Sequence, residues 1–441
     1  MILVRCKQIQ TNTNIGCFGQ KVLLSKNFSL STRMVTNNEV TIFGHKYKTD
    51  KRTNITKNII SKLGRNLHLS LYHPLSHIRQ RIINHFYMHF LNRIGNPTFS
   101  VYDNISPIVT VAKNFDSLLV PEDHVSRKDS NCYYINQNTL LRGHTTAHQT
   151  ELISMGLNNF LVIGDVYRRD EINSTHYPVF HQVDGVRLCT VKEVFQNVNI
   201  LDELRLFEHK GIETDEKQAC HTLESVKIME HELKSTLISL AQTLFGSEVQ
   251  CKWVEVYFPF THPSWELEIY HKEQWLEILG CGIIRQKILL NSGAGERIGW
   301  AFGLGLERLA MCVYDIPDIR LFWSKDIGFL NQFKVEDPNA VIKYKEISIY
   351  PSCKNDVSFW LPENEYYSQN DFYDIVREIG GDYIEQVILK DEFTHPITKK
   401  LSHCYTIVYR HMNRTMMKRE VNNIHNQIKK LAVEKLHVTM R

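Results

Sequence analysis

The chain has 441 residues, an apolar fraction of 43% and a formal net charge of +4 at pH 7. A chain of this length accommodates roughly two or three domains with substantial cores. No run of about 18 apolar residues occurs, which argues against a membrane-spanning helix and a membrane partner. Ten cysteines are scattered singly without a CxxC pair, which argues against a paired-cysteine zinc site and a clustered disulfide framework.

The N-terminal segment is basic and rich in hydroxyl groups, and its first acidic residue is Glu39. This composition is typical of an organellar transit peptide, although a disordered tail without a targeting role has it too. We predict a transit peptide at 1–37.

The predicted elements that follow combine helices with short strands. The segment 74–91 carries apolar residues at spacings of three and four, which predicts an amphipathic helix. Residues 204–247 begin polar and continue in a helical pattern at 226–244, which indicates an insertion between strands of one domain. Short β-rich pieces separated by turns predict an antiparallel sheet, at 159–167, 180–189, 252–258 and 275–280.

A polar segment at 326–347 reads as a linker between a first domain at 38–325 and a second at 348–441. The second region alternates predicted strands with helices, which is typical of a ferredoxin-like module. Its strands are predicted at 357–360 and 404–410, and its helices at 371–379 and 415–436. The predicted fold class is therefore α+β.

One stretch of the first domain places several polar side chains together. A predicted strand ends at Arg168, with Asp170 in the turn, and the return strand carries Gln182 and Asp184. Residues two apart in a strand share a face, so Gln182 and Asp184 are expected to point the same way.

A second stretch has Gly303 and Gly305 in an apolar strand that turns into a helix just before Arg308. Glycine in a strand permits close approach of a ligand to the backbone. The same glycines would also serve if they only eased the packing of the strand against the helix.

These two stretches resemble motifs 2 and 3 of the class II aminoacyl-tRNA synthetases. Further peptides are similar to the phenylalanine–tRNA ligases of that class, at 141–149, 180–185, 258–264 and 316–320. The resemblance covers about 73 to 425. It implies an antiparallel-sheet catalytic domain at 38–325, flanked by helices, that activates L-phenylalanine with ATP and transfers it to the 2′-hydroxyl of the terminal adenosine of tRNA-Phe. Similarity to the single-chain organellar members implies a monomer of the mitochondrial matrix.

The proposed chemistry has a clear electrostatic demand. A carboxylate must approach the α-phosphate of ATP, and arginine forks can neutralise the negative charge that develops there. By the resemblance Arg168 and Arg308 are catalytic, and ATP is bound by Arg168, Asp170, Gly303, Gly305 and Arg308. Mg²⁺ is the implied metal, with Glu277 as its candidate ligand, although an exposed strand glutamate needs no such role.

A phenylalanine site needs an apolar slot for the ring and polar anchors for the charged end. Phe258 and Phe260 alternate on one face of a predicted strand, and the resemblance implies that they bracket the ring while Ala301 closes the pocket. Two core aromatics would have the same spacing. The polar residues implied at the amino acid are His144, Thr146, Gln149, Gln182 and Asp184.

The pair His144 and His148 leaves a second possibility open. These residues stand four apart, as zinc ligands on a helix would, but the glutamate of an HExxH site is absent.

The C-terminal region is strongly basic. From His395 onward it has ten Lys or Arg residues and two acids, with Tyr405 and Tyr409 interleaved. A basic surface with aromatics suits single-stranded RNA, whereas a solvated helical face would also be basic. Residues 348–441 resemble the ferredoxin-fold anticodon-binding domain, which implies tRNA contacts from Lys399, Lys400, Arg410, Arg414, Lys418 and Arg419.

Two other functions stay open from the sequence. A non-catalytic synthetase relative would bind RNA only, but such a module has no need of Arg168 and Arg308 as a triphosphate clamp. A class II ligase for another amino acid is opposed by the aromatic pair and Ala301. Arg285 and Lys287 depart from the family pattern, which has Glu and Gln there, so no family contact is assigned to them.

Overall fold

A computed structural model describes residues 39–196, 204–346, 350–362, 367–412 and 414–441. The predicted transit peptide lies outside the described residues. The strands of the first domain are β1 (Glu39–Ile42), β2 (His45–Lys48), β3 (Ser100–Tyr102), β4 (Ile108–Thr110), β5 (Tyr134–Asn136), β6 (Thr139–Leu141), β7 (Asn159–Tyr167), β8 (Val179–Cys189), β9 (Cys251–Glu255), β10 (Thr261–His271), β11 (Gln274–Ile284) and β12 (Ile298–Gly305).

Helices surround these strands, and none in the described part of the chain is both long and apolar enough to cross a membrane. The helices of the first domain are α1 (Lys57–Lys62), α2 (Pro74–His89), α3 (Val111–Asn114), α4 (Gln149–Ser154), α5 (Val191–Val194), α6 (Leu223–Phe245), α7 (Gln286–Asn291), α8 (Leu306–Tyr314) and α9 (Ile327–Asn331).

The first domain is built on a seven-stranded sheet of order β3-β7-β8-β12-β11-β10-β9. The short edge strand β3 is parallel to β7, and the other neighbours are antiparallel. The predicted antiparallel sheet is confirmed. β7 has the predicted bounds, β8 begins one residue earlier, and β10 separates the strands predicted at 252–258 and 275–280.

The helix α2 covers the core of this domain. Its entry is set by Pro74 in the first turn and by His73, whose side chain accepts a hydrogen bond from the Leu75 N–H. The apolar stripe predicted for it is buried, with Leu75 and Ile82 fully inside. The helix α6, in the segment predicted as an insertion, buries Leu233 in the same core, so this helix is part of the main packing layer.

The segment predicted as a linker is anchored on the first domain. It contains α9, and Phe329 and Phe333 are 1% and 0% exposed in the core of the first domain. The Phe333 ring meets Tyr314 edge-on at 5.3 Å between centroids. Much of the apparent connector is therefore folded against the catalytic body.

The second domain has its own sheet and core. Its elements are β13 (Cys353–Trp360), α10 (Gln369–Gly380), β14 (Ile384–Thr394), β15 (Leu401–Tyr409), α11 (Lys418–Leu436) and β16 (Thr439–Met440), with strand order β14-β15-β13-β16. Tyr405 and Tyr409 are fully buried beneath the helices. The interpretation of these two tyrosines as exposed aromatics for RNA is wrong, because alternate residues of β15 face the core.

Candidate active site

Side chains from neighbouring strands meet on one face of the central sheet. Asp184 pairs with Gly303 and Gln182 with Gly305 across β8 and β12, so the polar residues of one strand lie opposite glycines of the next. The cavity beside them has a volume of about 620 Å³, which is within the usual range for small-molecule sites. Most predicted site residues line it: His144, Thr146, Gln149, Arg168, Asp170, Gln182, Asp184, Phe258, Phe260, Glu277, Ala301 and Gly303.

One end of the cavity is rich in hydrogen-bond acceptors. The Asp184 carboxylate accepts a hydrogen bond from Thr146 Oγ1 at 2.5 Å. Burial raises the pKa of the Asp184 carboxyl to about 6, although the hydrogen bond from Thr146 opposes the rise. The buried Oε1 of Gln182 has no hydrogen-bond partner among the described residues. A carboxylate beside an unsatisfied amide oxygen suits a cationic ammonium group.

Gly303 and Gly305 of β12 have different surroundings. A β-carbon at Gly303 would lie 2.6 Å from Asp184 Oδ1, so glycine makes room for the carboxylate. At Gly305 a β-carbon would meet nothing within 4 Å, and Gly305 is not among the cavity-lining residues. The close approach at Gly303 thus comes from a neighbouring side chain.

His144 enters the cavity as a neutral side chain. Burial, together with the nearby Arg168 guanidinium, lowers the pKa of His144 to about 3. The Nε2 of His148 lies 3.0 Å from Arg142 Nη1, so a guanidinium occupies one of its two ring nitrogens. Gln149 is buried and lines the same wall as His144.

Two parallel aromatic rings form the apolar end. The rings of Phe258 and Phe260 stack at 5.7 Å with an interplanar angle of 2°. The prediction that both lie in a strand is wrong: β9 ends at Glu255, and they lie in the turn before β10. A β-carbon at Gly280 would come within 2.9 Å of the Phe258 ring, so this glycine permits the flat packing of Phe258 on β11.

Ala301 lies in β12 opposite Gly282 and packs beside Phe260. We expect Ala301→Gly to admit para-substituted phenylalanines, because removing the methyl group deepens the pocket. Since an apolar pocket separates substrates that differ by one small group by about 10- to 200-fold, the selectivity against para-chlorophenylalanine should fall by about that factor. Amino-acid-dependent ATP–pyrophosphate exchange measures it. Equal selectivity in the wild-type protein and the variant would remove Ala301 from the pocket.

Arg168 also lines the cavity, near enough to Asp184 to lower the pKa of its carboxyl. Its Nε donates to the Gly143 carbonyl at 2.7 Å, and its backbone N–H donates to Pro178 at 3.0 Å. Its guanidinium lies 5.1 Å from the centre of the Phe180 ring. Phe180 was not assigned a role from the sequence, yet an aromatic face beside a guanidinium offers a surface for a stacked adenine.

Arg308 lies in the first turn of α8, outside the cavity lining, and reaches Glu277 at its rim. Its Nη1 donates to Glu277 Oε2 at 3.1 Å and to the Glu277 carbonyl at 3.0 Å. Glu266, not assigned from the sequence, lines the same cavity, and burial and the Glu277 carboxylate raise its pKa. Two carboxylates fit Mg²⁺ at a nucleotide site, because this ion completes its shell with phosphate oxygens and water.

A buried ion pair supports the cavity wall and was missed from the sequence. Arg142 is 1% exposed, and its Nη2 lies 2.8 Å from Asp165 Oδ1 on β7. A β-carbon at Gly164 would lie 2.1 Å from the same nitrogen, so glycine there leaves room for the guanidinium in this position. The pair fixes the start of the chain segment that carries His144. In the sequence, the only indication of this ion pair was an arginine between an apolar strand and a glycine.

The six basic residues predicted to bind tRNA divide into two groups. Lys399 and Lys400 lie at the β14–β15 turn, whereas Arg410, Arg414, Lys418 and Arg419 lie at the other end of β15. These ends are roughly 25 Å apart, at about 3.3 Å per strand residue. Arg410 Nε lies 2.5 Å from Glu385, and Arg414 pairs with both oxygens of Glu420 at 2.8 and 2.9 Å.

Both domains match known protein families. The family "tRNA synthetases class II core domain (F)" matches 62–218 and 220–333, and "Ferredoxin-fold anticodon binding domain" matches 348–441. The "Probable phenylalanine--tRNA ligase, mitochondrial" of Drosophila melanogaster is 55% identical over 419 residues, covering 91% of this chain and 92% of the relative. The "Phenylalanine--tRNA ligase, mitochondrial" of Mus musculus is 53% identical over 400 residues, covering 91% and 88%.

A bacterial relative matches a smaller share of the chain. The "Phenylalanine--tRNA ligase alpha subunit" of Coxiella burnetii is 32% identical over 290 residues, covering 64% of this chain and 74% of the relative. The synthetase core, the anticodon-binding domain and the mitochondrial relatives that span both domains agree on one assignment. The chain belongs to the phenylalanine–tRNA ligase family of the class II aminoacyl-tRNA synthetases, in its mitochondrial branch.

Proposed function

We propose that this chain joins L-phenylalanine to the α-phosphate of ATP and transfers the phenylalanyl group to the 2′-hydroxyl of the terminal adenosine of tRNA-Phe. The observation that carries the proposal is the two-ended cavity. Its polar end holds the Asp184 carboxylate and the unsatisfied Gln182 oxygen, and its apolar end holds two stacked rings. An amino acid with an aromatic side chain satisfies both ends at once.

The first step needs orientation and charge compensation, not a protein nucleophile. Asp184 and Gln182 hold the ammonium group, which directs the substrate carboxylate toward the side of the cavity that carries Arg168. The carboxylate oxygen attacks the α-phosphorus and pyrophosphate leaves, while Arg168 stabilises the charge on the phosphate oxygens. Arg308 binds the far end of the triphosphate. His144 is neutral, so it hydrogen-bonds without competing with Arg168 for the anions.

Mg²⁺ would be held by Glu277 and Glu266 and would offset the charge of the triphosphate when bound. In the second step the 2′-hydroxyl attacks the phenylalanyl carbonyl, and AMP leaves with the anhydride oxygen.

Phenylalanine-dependent ATP–pyrophosphate exchange without tRNA tests the proposal. We expect exchange with phenylalanine and only about 10²-fold less with tyrosine, because an apolar pocket rejects an added hydroxyl group modestly. No exchange would indicate a non-catalytic relative, and exchange with a different amino acid would indicate another ligase.

The second domain, by its family, is proposed to bind the anticodon arm of tRNA-Phe, and the protein is proposed to act as a monomer in the mitochondrial matrix. The mitochondrial names of its relatives and the composition of the first residues support this location.

We expect Lys399→Ala/Lys400→Ala to weaken tRNA binding, because both lysines are exposed at the end of the β14–β15 hairpin. Losing two phosphate contacts should reduce the slope of log affinity against log salt by about 1.4, at about 0.7 per contact with a single strand. Fluorescence titration of labelled tRNA at several salt concentrations measures it. Lys429→Ala/Lys430→Ala on α11 is the matched control, and equal effects of the two pairs would refute the assignment.

A further inference from the structure

The loop between β7 and β8, residues 168–178, is packed into the second domain. Ile172 is 7% exposed and belongs to the same apolar cluster as Val357 and Phe372 of that domain. The Val387 N–H of β14 donates to the Ile172 carbonyl at 3.1 Å. A loop of the catalytic domain thus completes the core of the anticodon-binding domain.

Polar groups of α10 hold the preceding residues of the loop. Arg169 Nη2 lies 2.8 Å from Asp371 Oδ1 and 3.3 Å from Asp374 Oδ2. Asn370 Nδ2 donates to the Arg169 carbonyl at 2.9 Å. Arg377 donates to the carbonyl of Asp170 and, at 2.7 Å, to that of Glu171. The second domain therefore donates a hydrogen bond to the backbone carbonyl of each residue from 169 to 172.

The same stretch of backbone carries residues of the cavity. Arg168 and Asp170 line the cavity, whereas the side chains of Arg169 and Ile172 turn to the second domain. Because these four residues share one stretch of backbone, a displacement of Arg169 and Ile172 also displaces the residues in the cavity. A displacement of about 1 Å at a reacting group can cost about 10²-fold in rate.

We propose that α10, through Asn370, Asp371 and Arg377, positions Arg168 and Asp170 for amino acid activation, so that the anticodon-binding domain contributes to the step that needs no tRNA. The inference rests on the proposed ligase activity. It assigns Asn370 and Asp371 as positioning residues, since neither touches the cavity.

The test is ATP–pyrophosphate exchange by full-length Asn370→Ala/Asp371→Ala without tRNA. Both side chains lie on the first turn of α10, and Asp371 is 32% exposed, so the variant leaves the core of the second domain intact. We expect the KM for ATP to rise about tenfold and kcat to fall, with the KM for phenylalanine changed by less than about twofold, because the displaced residues Arg168 and Asp170 are assigned to ATP. The single variant Asp371→Glu keeps the carboxylate, so it should be more active than the double variant.

Asn58→Ala is the matched control. Asn58 Nδ2 also crosses to the second domain, donating to the Arg377 carbonyl at 2.8 Å, but Asn58 lies on α1 and not on the β7–β8 loop. Its kinetics should stay near those of the wild-type protein. Unchanged ATP parameters in the double variant, equal losses in the control, or parallel rises in both KM values would each overturn the assignment. Absence of exchange in the wild-type protein would instead refute the proposed function, and thermal unfolding of each variant reports loss of folding separately.

Discussion

Replacing Arg168 with alanine is expected to lower phenylalanine-dependent ATP–pyrophosphate exchange by about 10³-fold, because one positioned donor to developing charge contributes about that factor. The structure fixes this side chain before substrate arrives: Nε is bound to the Gly143 carbonyl, and the guanidinium lies beside Phe180. Such preorganisation means that little reorientation is needed during the reaction. The loss should fall mainly on kcat, since the developing charge belongs to the transition state.

Two variants sharpen this experiment. Arg168→Lys keeps the charge but loses the planar fork, so it should recover only a small part of the rate. Arg93→Ala removes an exposed arginine from the turn after α2 and should have wild-type kinetics. A rate for Arg168→Ala within about tenfold of the wild-type rate would place the charge compensation elsewhere.

Asp184→Asn is expected to stabilise the fold at pH 8 while it abolishes most activation. The folded state raises the pKa of the Asp184 carboxyl to about 6 from 3.8, so ionisation is disfavoured in the folded protein. At about 1.4 kcal/mol per pKa unit, the wild-type protein loses about 3 kcal/mol of stability as pH rises through this window, and asparagine avoids that loss. Exchange should fall by at least about 10²-fold, because the ammonium group loses its counter-charge.

The pH dependence identifies the cause. The stability difference between Asp184→Asn and the wild-type protein should be largest above pH 6 and should shrink to about half at pH 5, where the wild-type carboxyl is largely protonated in the folded state. Urea unfolding at pH 5 and pH 8 measures it. A difference that is constant with pH, or a variant that is less stable at pH 8, would contradict the buried-carboxylate account.

Local patterns predicted the elements around the site well, but not every turn. The strand β7 was predictable from its nine apolar-rich residues between polar boundaries. The strand predicted at 252–258 ran past its true end because Phe258 and Phe260 continue the alternation through a turn. The strand β10 was also readable, since Trp265 and Leu267 face the core while Glu266 faces the cavity. That alternation would have identified Glu266.

Contacts between distant residues were beyond local patterns. Thr146 and Asp184 are 38 residues apart, and their hydrogen bond depends on how the segment after β6 packs on β8. The contact of Arg169 with Asp371 spans 202 residues and depends on the docking of two domains. Such pairs follow from tertiary packing, whereas spacing within a strand or helix encodes only neighbours on one face.

The anchoring of Phe329 and Phe333 has a practical consequence for dividing the chain. A fragment ended at 325, where the polar composition begins, would leave a hole in the catalytic core where these two buried rings had been. A fragment begun at 348 would lack Ile172 from the other core. Neither fragment has a complete core by itself. The polar segment at 326–347 therefore does not separate two independently complete domains.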